Sequence, residues 1–215
     1  MSMDPRILQI SDSMFPLGGL AHSFGLETLV AEGRVGRENL EAYLKAMLAS
    51  QAGPCDLVFM LAALRDPEDA ERLSGLYGCH KPVPELSAAS LSMGRRLAKL
   101  GYRLTGDARL DALAEKDIHH AVAFGVVAAA MNIGEEDAAC GFLYNWLAGA
   151  ASAAIRLMPL GHDAAQVMIY SLGEDIRRAY QENRDKEPSD AWQFSPESEM
   201  AGMAHEKQFR RLFLS

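Results

Sequence analysis

The sequence predicts an all-α fold, a single-domain bundle of about eight to ten helices that ends in a C-terminal tail helix. Three observations support this class. Helix-forming residues dominate, no segment alternates polar and apolar residues beyond a few positions, and apolar residues recur at the i, i+3, i+4, i+7 spacing of a helix. With 215 residues, 49% of them hydrophobic, the chain can bury one sizeable core.

The first half of the chain contains recognisable helix boundaries. Gly33 and Gly36 bracket a turn between two helical stretches, and Asp66-Pro67-Glu68 offers an N-cap followed by a proline at the first helical position. Two prolines in residues 78–84 predict a loop there. The run from Ala121 to Met131 is apolar on nearly every face, so we expect it at the centre of the bundle.

A long apolar helix is predicted to begin near Glu135 and to end at Pro159. Its uncharged window, Ala138–Ile155, has 18 residues, which is near the lower limit for a membrane span. Many of these residues are alanine, and glycine, serine and asparagine dilute the window further. The composition therefore favours a buried helix of a soluble protein over a membrane-spanning segment.

We expect three parts along the chain. Residues 1–180 form the helical bundle, residues 181–195 a polar linker and residues 196–215 a C-terminal docking tail. The linker is assigned because its first half is polar and lacks an apolar face. Ser195-Pro196-Glu197 then gives the start signal of a final helix.

Charge and cysteine content exclude several classes of protein. Lys and Arg number 21 against 29 Asp and Glu, and this acidic balance argues against a nucleic-acid partner. Three widely spaced cysteines, Cys55, Cys79 and Cys140, cannot form a disulfide framework and fit a reducing compartment. Since no basic stretch precedes an apolar run near Met1, no signal peptide is predicted. We expect a cytoplasmic location and no membrane or nucleic-acid partner.

No motif for catalysis or metal binding is complete. Neither a phosphate-binding G-x-x-x-x-G-K-[ST] loop nor a G-x-G-x-x-G fingerprint occurs. His205-Glu206 begins an H-E-x-x-H zinc pattern, but Phe209 replaces the second histidine. His119 and His120 are adjacent, so on a helix they point to different faces. Residues 21–25 differ by one residue from the G-x-S-x-G nucleophile motif and lack its preceding strand. We expect no catalytic residue, metal site or cofactor.

The first of two unusual segments is Phe15–Glu27. Apolar side chains surround Gly18 and Gly19, and Gly25 stands within a helical pattern, where glycine is unfavourable. One interpretation is a flexible loop before a helix. The other is that glycine permits a close backbone approach to another helix or another chain.

The second unusual segment is the tail, residues 200–215. Its apolar stripe at helical spacing consists of Met200, Met203, Phe209, Leu212 and Phe213. Two interpretations stay open. The tail helix folds back onto the bundle, or it docks into a groove of a partner protein, with Arg210 and Arg211 meeting carboxylates there.

Both segments resemble the urease accessory protein UreF family, whose members carry L-x-x-x-L-P-x-G-G-[FY]-x-x-S-x-G-L-E and end in H-E-x-x-x-x-R-L-F-x-S. The N-terminal matches here are Pro16, Gly18, Gly19, Ser23, Gly25, Leu26 and Glu27. The tail matches are His205, Glu206, Arg211, Leu212, Phe213 and Ser215. Central matches are Met93-Gly94-Arg95, His120-Ala121, Phe124-Gly125 and residues 154–161. The resemblance covers most of the chain.

The resemblance implies a non-catalytic scaffold that binds the accessory protein UreD (UreH in some organisms), the GTPase UreG and apo-urease, and supports nickel insertion. It also implies a homodimer and a tail that packs against UreD. The partner-binding residues that we assign are Gly18, Gly19, Ser23, Gly25, Glu27, Arg156, His205, Phe209, Arg210, Arg211, Leu212, Phe213 and Ser215. Arg156 stands in an apolar stretch, so we expect it to pair with a carboxylate at a subunit contact.

Two alternatives to this scaffold remain. The chain could be a helical-bundle enzyme or a small-ligand-binding protein whose pocket uses His22 or His119. It could also be a helical adaptor unrelated to urease. Bound cofactor or hydrolytic turnover would indicate the first alternative, and the absence of neighbouring urease genes would favour the second.

Overall fold

The structure is a computed structural model that describes residues 4–12, 15–205 and 211–215, with Leu20 described by its backbone alone. Within these residues the chain forms helices and turns and has no β-strand, which confirms the predicted all-α class. The fold is a helical bundle whose hydrophobic core is a single connected cluster.

Twelve α-helices lie in the described residues. In chain order they are α1 (Pro5–Ile10), α2 (Leu26–Ala31), α3 (Leu40–Met47), α4 (Val58–Arg65), α5 (Ala70–Cys79), α6 (Pro84–Thr105), α7 (Ala108–Ala114), α8 (His120–Ala130), α9 (Glu135–Leu157), α10 (His162–Ser171), α11 (Gly173–Asn183) and α12 (Pro196–His205). Three of them, α1, α2 and α7, have fewer than eight residues. Because α3 and α4 belong to one continuous helix, eight longer helices build the bundle, within the predicted range.

Helix α8 lies at the centre of the bundle, as its apolar sequence predicts. Every residue from Ala121 to Ala128 is buried, and α4 and α6 pack against it. Two glycines permit these contacts. A Cβ on Gly125 would lie 2.2 Å from the carbonyl oxygen of Met60, and a Cβ on Gly94 of α6 would lie 2.0 Å from that of Ile118. Only glycine fits where backbones meet this closely.

A π-helical stretch, Leu48–Leu57, joins α3 to α4 within the helix Leu40–Arg65. Pro54 lies inside it and has no N–H to donate to the preceding turn, which accounts for the irregular helix. The sequence analysis did not predict this stretch. Helix α11 packs along it, and a Cβ on Gly53 would meet the side chain of Ala179 at 3.3 Å.

The segment predicted as a polar linker is attached to the bundle by its backbone. Helix α11 ends at Asn183, so the boundary expected at residue 180 falls inside a helix. Further along, the N–H of Trp192 donates to the carbonyl of Pro54 at 3.1 Å, and that of Phe194 to Ser50 at 2.9 Å. The division into bundle, linker and tail stays a prediction.

The tail differs from the expected helix at its end. Residues 211–215 are not helical, so the prediction of a helical stripe through Leu212 and Phe213 is wrong. The cause is a set of backbone hydrogen bonds from this segment to the N-terminal part of the chain, described below, which replaces the bonds of a helix. Phe209 and Arg210 lie outside the described residues.

Two helices in the described part of the chain have the length and apolar composition of a membrane span, Leu40–Arg65 and α9. In the first, 72% of the most apolar window is buried inside the bundle, as in a core helix. In α9 the buried share is 44%, so the predicted burial of this helix is only partial. Tyr144 is exposed on α9, and several of its apolar residues are half-buried.

Candidate protein-interaction site

The N-terminal segment 18–27 carries the glycines singled out in the sequence. Gly18 and Gly25 have φ angles of 80° and 87°, a region that glycine favours. The spacing of its neighbours suggested that Gly25 lies within a helix. It lies instead immediately before α2. A Cβ on Gly25 would lie 2.8 Å from the carbonyl oxygen of Ser198 in α12. The close backbone approach expected at the glycines is found here, and the neighbour is a helix of the same chain.

Glu27, in the first turn of α2, binds two backbone amides of the tail. Its carboxylate accepts the N–H of Leu212 at 2.7 Å and that of Phe213 at 3.1 Å, and lies 2.9 Å from Nε2 of His205. Burial alone would raise the pKa of Glu27. The hydrogen bonds from Leu212, His205 and Phe213 outweigh it, so this pKa lies below its ordinary value and the carboxylate is ionised.

His205, the last residue of α12, is fully buried and contacts a second carboxylate. Its Nδ1 lies 3.0 Å from Oε2 of Glu85 in α6, whose other oxygen accepts a hydrogen bond from Nη1 of Arg211 at 2.9 Å. We call Glu27, Glu85, His205 and Arg211 the charged cluster. The charged cluster joins α2, α6, α12 and the tail at one point.

Residues 211–215, which we call the strap, run along the N-terminal segment. The N–H of Leu214 donates to the carbonyl of Ala21 at 2.7 Å. Both the N–H and the hydroxyl of Ser23 donate to the carbonyl of Ser215. Together with the two amides whose hydrogen bonds Glu27 accepts, these bonds attach the backbone of the strap to the N-terminal segment without a helix.

The side chains of the strap alternate between the core and the surface. Phe213 is buried, and the guanidinium of Arg156 lies 4.1 Å from the centroid of its ring. Leu212 and Leu214 on either side are 64% and 67% exposed. Exposed apolar side chains also occur on the elements that support the strap, namely Phe24 before α2 and Met200 and Met203 on α12.

The structure brings most of the assigned partner-binding residues to one place, which we call the junction. It comprises segment 18–27, His205 and the strap, with Glu85 and Arg156 as supports. Arg156 donates toward the carbonyl of Leu212 at 3.5 Å, in addition to its contact with Phe213. Its expected pairing with a carboxylate at a subunit contact stays a prediction. Gly19 begins a 3-10 turn, and a Cβ added to it would meet the side chain of Met93 at 3.5 Å rather than the strap.

The sequence analysis missed Glu85. This residue is one of several acidic residues in the first turn of a helix, and no local pattern distinguishes it from the others. A chain separation of 120 residues between Glu85 and His205 also hides their contact. The only available signal was that a histidine in an otherwise buried face requires polar partners.

The histidines of the alternative hypothesis have structural partners. His119 is buried, its Nδ1 lies 3.0 Å from the hydroxyl of Ser90, and burial lowers its pKa to about 4. His22 lies 2.8 Å from the hydroxyl of Ser215, beside an internal cavity of about 150 Å³. Among the described residues, no group of three His, Cys, Asp or Glu side chains converges as metal ligands. These contacts support roles in packing and in the junction.

Comparison with known proteins gives one consistent result. The sequence model of a family described as UreF matches residues 35–173, so segment 18–27, His205 and the strap lie outside the matched range. Full-length relatives carry the description urease accessory protein UreF. The protein of Paenarthrobacter aurescens (strain TC1) is 29% identical over 214 residues, with 96% of each chain covered. That of Nostoc sp. (strain PCC 7120) is 30% identical, with 98% of this chain and 95% of the relative covered. "Urease accessory protein UreF 2" of Brucella anthropi is 31% identical with the same coverage.

Proposed function

This chain belongs to the UreF family of urease accessory proteins, and from that premise we propose that it is the scaffold that connects UreD (UreH) with the GTPase UreG during urease maturation. The family is one of accessory proteins rather than enzymes. In this proposal the chain works in the cytoplasm and supports nickel insertion into apo-urease through its surfaces. Hydrolysis of GTP belongs to UreG, because this sequence lacks a phosphate-binding loop.

The observation that carries the proposal is the exposure of two leucines on an ordered strap. Leu212 and Leu214 point outward while hydrogen bonds to Glu27, Ala21 and Ser23 hold the backbone between them. A surface that is already ordered loses little conformational entropy when a partner docks, so exposed leucines there contribute more fully to binding. The exposed methionines of α12 add side chains that adapt to a partner's shape. We place UreD on this surface.

The two interpretations of the tail combine in this arrangement. Phe213 is buried under Arg156, as the fold-back interpretation expects for that ring. Leu212 and Leu214 remain available, as docking requires. Deletion of residues 206–215 should abolish UreD binding and leave the helical content nearly unchanged. It would also remove the two backbone amides that donate to Glu27, so point substitutions give the sharper test.

The decisive experiment compares two pairs of exposed apolar residues by calorimetric titration with purified UreD. We expect Leu212→Ser with Leu214→Ser to weaken binding at least about tenfold, as for the loss of central anchors. The control is Val167→Ser with Tyr170→Ser on α10, where the side chains are 69% and 89% exposed. The control should bind like the wild type. Equal affinity of both variants, or equal loss in both, would contradict UreD docking at the strap.

The homodimer is a separate part of the proposal. The partly exposed apolar face of α9 supports it, because such a helix face is normally covered by protein. Tyr144 is exposed on α9, and a Cβ on Gly149 would meet nothing within 4 Å. Tyr144→Glu should shift the chain to a monomer in analytical ultracentrifugation. Tyr102→Glu, on the exposed face of α6, is the matched control, and a dimer that survives Tyr144→Glu would place the contact elsewhere.

Nickel insertion is tested by reconstitution. Apo-urease, UreD, UreG, nickel, GTP and bicarbonate are combined with and without this chain, and urease activity is measured. We expect activation that depends on the chain and is reduced by the Leu212 and Leu214 substitutions. Full activation without the chain, or GTP turnover by the chain without UreG, would overturn the scaffold role.

A further inference from the structure

The buried ring of His205 faces a carboxylate oxygen on each side. Nε2 lies 2.9 Å from Glu27 and Nδ1 lies 3.0 Å from Glu85. An ionised carboxylate only accepts hydrogen bonds, and a neutral imidazole has a single N–H. Both contacts are therefore hydrogen bonds only when the ring carries a proton on each nitrogen. The geometry fits the charged form of His205.

The charge balance of the cluster favours the same form. Glu27 and Glu85 bring two negative charges, which Arg211 and a protonated His205 neutralise. Loss of the His205 proton would leave two carboxylates with one cation at a site where the histidine is fully buried. Uncompensated charge in such a place is strongly unfavourable.

Two further charged or titratable groups face the cluster from neighbouring elements. Burial and the positive charge of Arg96 lower the pKa of His22, while the negative charge of Glu85 opposes them, so His22 is neutral at neutral pH. Arg156 lies on the far side of the strap, over Phe213. As the pH rises from neutral, His22 is already neutral and the arginines keep their charge, so neither changes the charge beside the cluster.

We propose that the charged cluster is a proton-controlled latch, in which the strap is held while His205 carries both ring protons and is released when the ring loses one. Deprotonation removes the donor from one of the two carboxylates and leaves an excess negative charge beside the other. Glu27 holds the amides of Leu212 and Phe213, so the disturbance reaches the strap directly. This latch is a property of the chain alone. Its effect on docking rests on the proposed function, because Leu212 and Leu214 form a fixed surface only while the latch is closed.

The test is a pH titration of the full chain by NMR with ¹⁵N-labelled histidine, together with hydrogen exchange of the strap amides. We expect the ring of His205 to carry two protons at low pH and one proton above the pH interval in which the latch opens. The protection of the Leu212 and Phe213 amides, corrected for intrinsic exchange, should fall at least about tenfold in the same interval. A singly protonated His205 throughout, or protection that does not follow its titration, would overturn the latch.

Glu85→Gln is the matched variant that distinguishes the latch from a merely buried histidine. The amide of glutamine can donate to Nδ1 of a neutral His205, and its oxygen can still accept from Arg211. Strap protection should then persist at high pH, without the fall expected of the wild type. His162→Gln, on the exposed start of α10, is the control and should keep the wild-type pH dependence. Wild-type behaviour of Glu85→Gln would contradict the proposal, and UreD affinity, measured separately, tests the docking surface.

Discussion

The centre of the bundle and the junction are held together by different interactions. Around α8, buried apolar residues pack against α4 and α6, and glycines bring the backbones into direct contact. At the junction, the strap is attached by hydrogen bonds to Glu27, Ala21 and Ser23 and by the charged cluster. Apolar packing does not depend on protonation, whereas the charged cluster does. The core is thus held by apolar packing, and the strap is held by polar and charged contacts.

The histidines of the two regions show the same contrast. Burial lowers the pKa of His120 at the start of α8 to about 4, so its ring is neutral at neutral pH. His205 is fully buried, and each of its ring nitrogens lies about 3 Å from a carboxylate oxygen. The two buried histidines therefore differ in the charged groups that surround them.

The largest expected effect comes from filling a backbone contact of the core. Gly125→Ala places a Cβ about where the Met60 carbonyl lies, and should lower the free energy of unfolding by about 3 kcal/mol or prevent folding. Gly75→Ala, in open space on α5, should raise it by about 0.5–1 kcal/mol because alanine favours a helix. Urea denaturation measures both. Similar values for the two variants would remove the distinction between the packed core and the rest of the bundle.

The next effect concerns the junction. Glu27→Ala leaves the amides of Leu212 and Phe213 and the ring of His205 without their acceptor, and should cost about 2–3 kcal/mol. Hydrogen exchange should show the loss in α2, α12 and the strap while α8 keeps its protection. Glu32→Ala, at the exposed end of α2, should stay within about 0.5 kcal/mol. A loss of protection that spreads evenly to α8 would contradict the separation of the two regions.

A smaller effect is expected from acidification of the core. A histidine with a lowered pKa contributes stability that is complete above its unfolded pKa and is lost as the pH falls toward the folded value. For His120 this interval runs from 6.5 to about 4. The free energy of unfolding of His120→Phe should therefore fall by up to about 2 kcal/mol less than that of the wild type over this interval. The cavity beside the ring offers room for the larger side chain. Thermal unfolding as a function of pH measures it, and an unchanged slope would contradict a neutral buried His120.

At acidic pH, the stability of the junction depends on the protonation of Glu27. The lowered pKa of Glu27 means that its contribution is present above the ordinary glutamate pKa of 4.5 and is lost as the pH falls through the lower folded value. The strap should therefore loosen at acidic pH through Glu27 and at higher pH through His205. Strap protection that peaks between these limits in hydrogen exchange is the expected result, and a steady rise or fall across the whole range would be inconsistent with it.

The smallest effect is expected when the guanidinium of Arg156 is removed from the ring of Phe213. Arg156→Ala removes a cation positioned over the ring and should cost about 1 kcal/mol. Arg156→Lys should lose less, because the ammonium keeps the charge but not the flat stacking surface. Arg177→Ala, on the exposed face of α11, is the control and should be neutral in urea denaturation. A neutral Arg156→Ala would show that the ring is held by the core alone.

The two regions also differ in how far the sequence predicts them. The central position of α8 was predictable because a helix that is apolar on every face is stable only when it is buried. The path of the strap was not predictable from the sequence. The positions of Phe209, Leu212 and Phe213 fit the spacing of a helix, but so short a pattern also fits a non-helical segment. Hydrogen bonds to Glu27, 185 residues away from Leu212, decided between them. The π-helical stretch was missed because it follows from one proline inside a buried helix.

The most direct measurement of the attachment at the junction is a double-mutant cycle between Glu27→Gln and His205→Gln, measured by urea denaturation from mildly acidic to alkaline pH. If the charged cluster holds the strap and α12 to α2 as one unit, the two substitutions are coupled by about 1–3 kcal/mol, and the coupling shrinks as the pH rises. Additive effects at every pH, within about 0.5 kcal/mol, would mean that the strap is held by packing like the core.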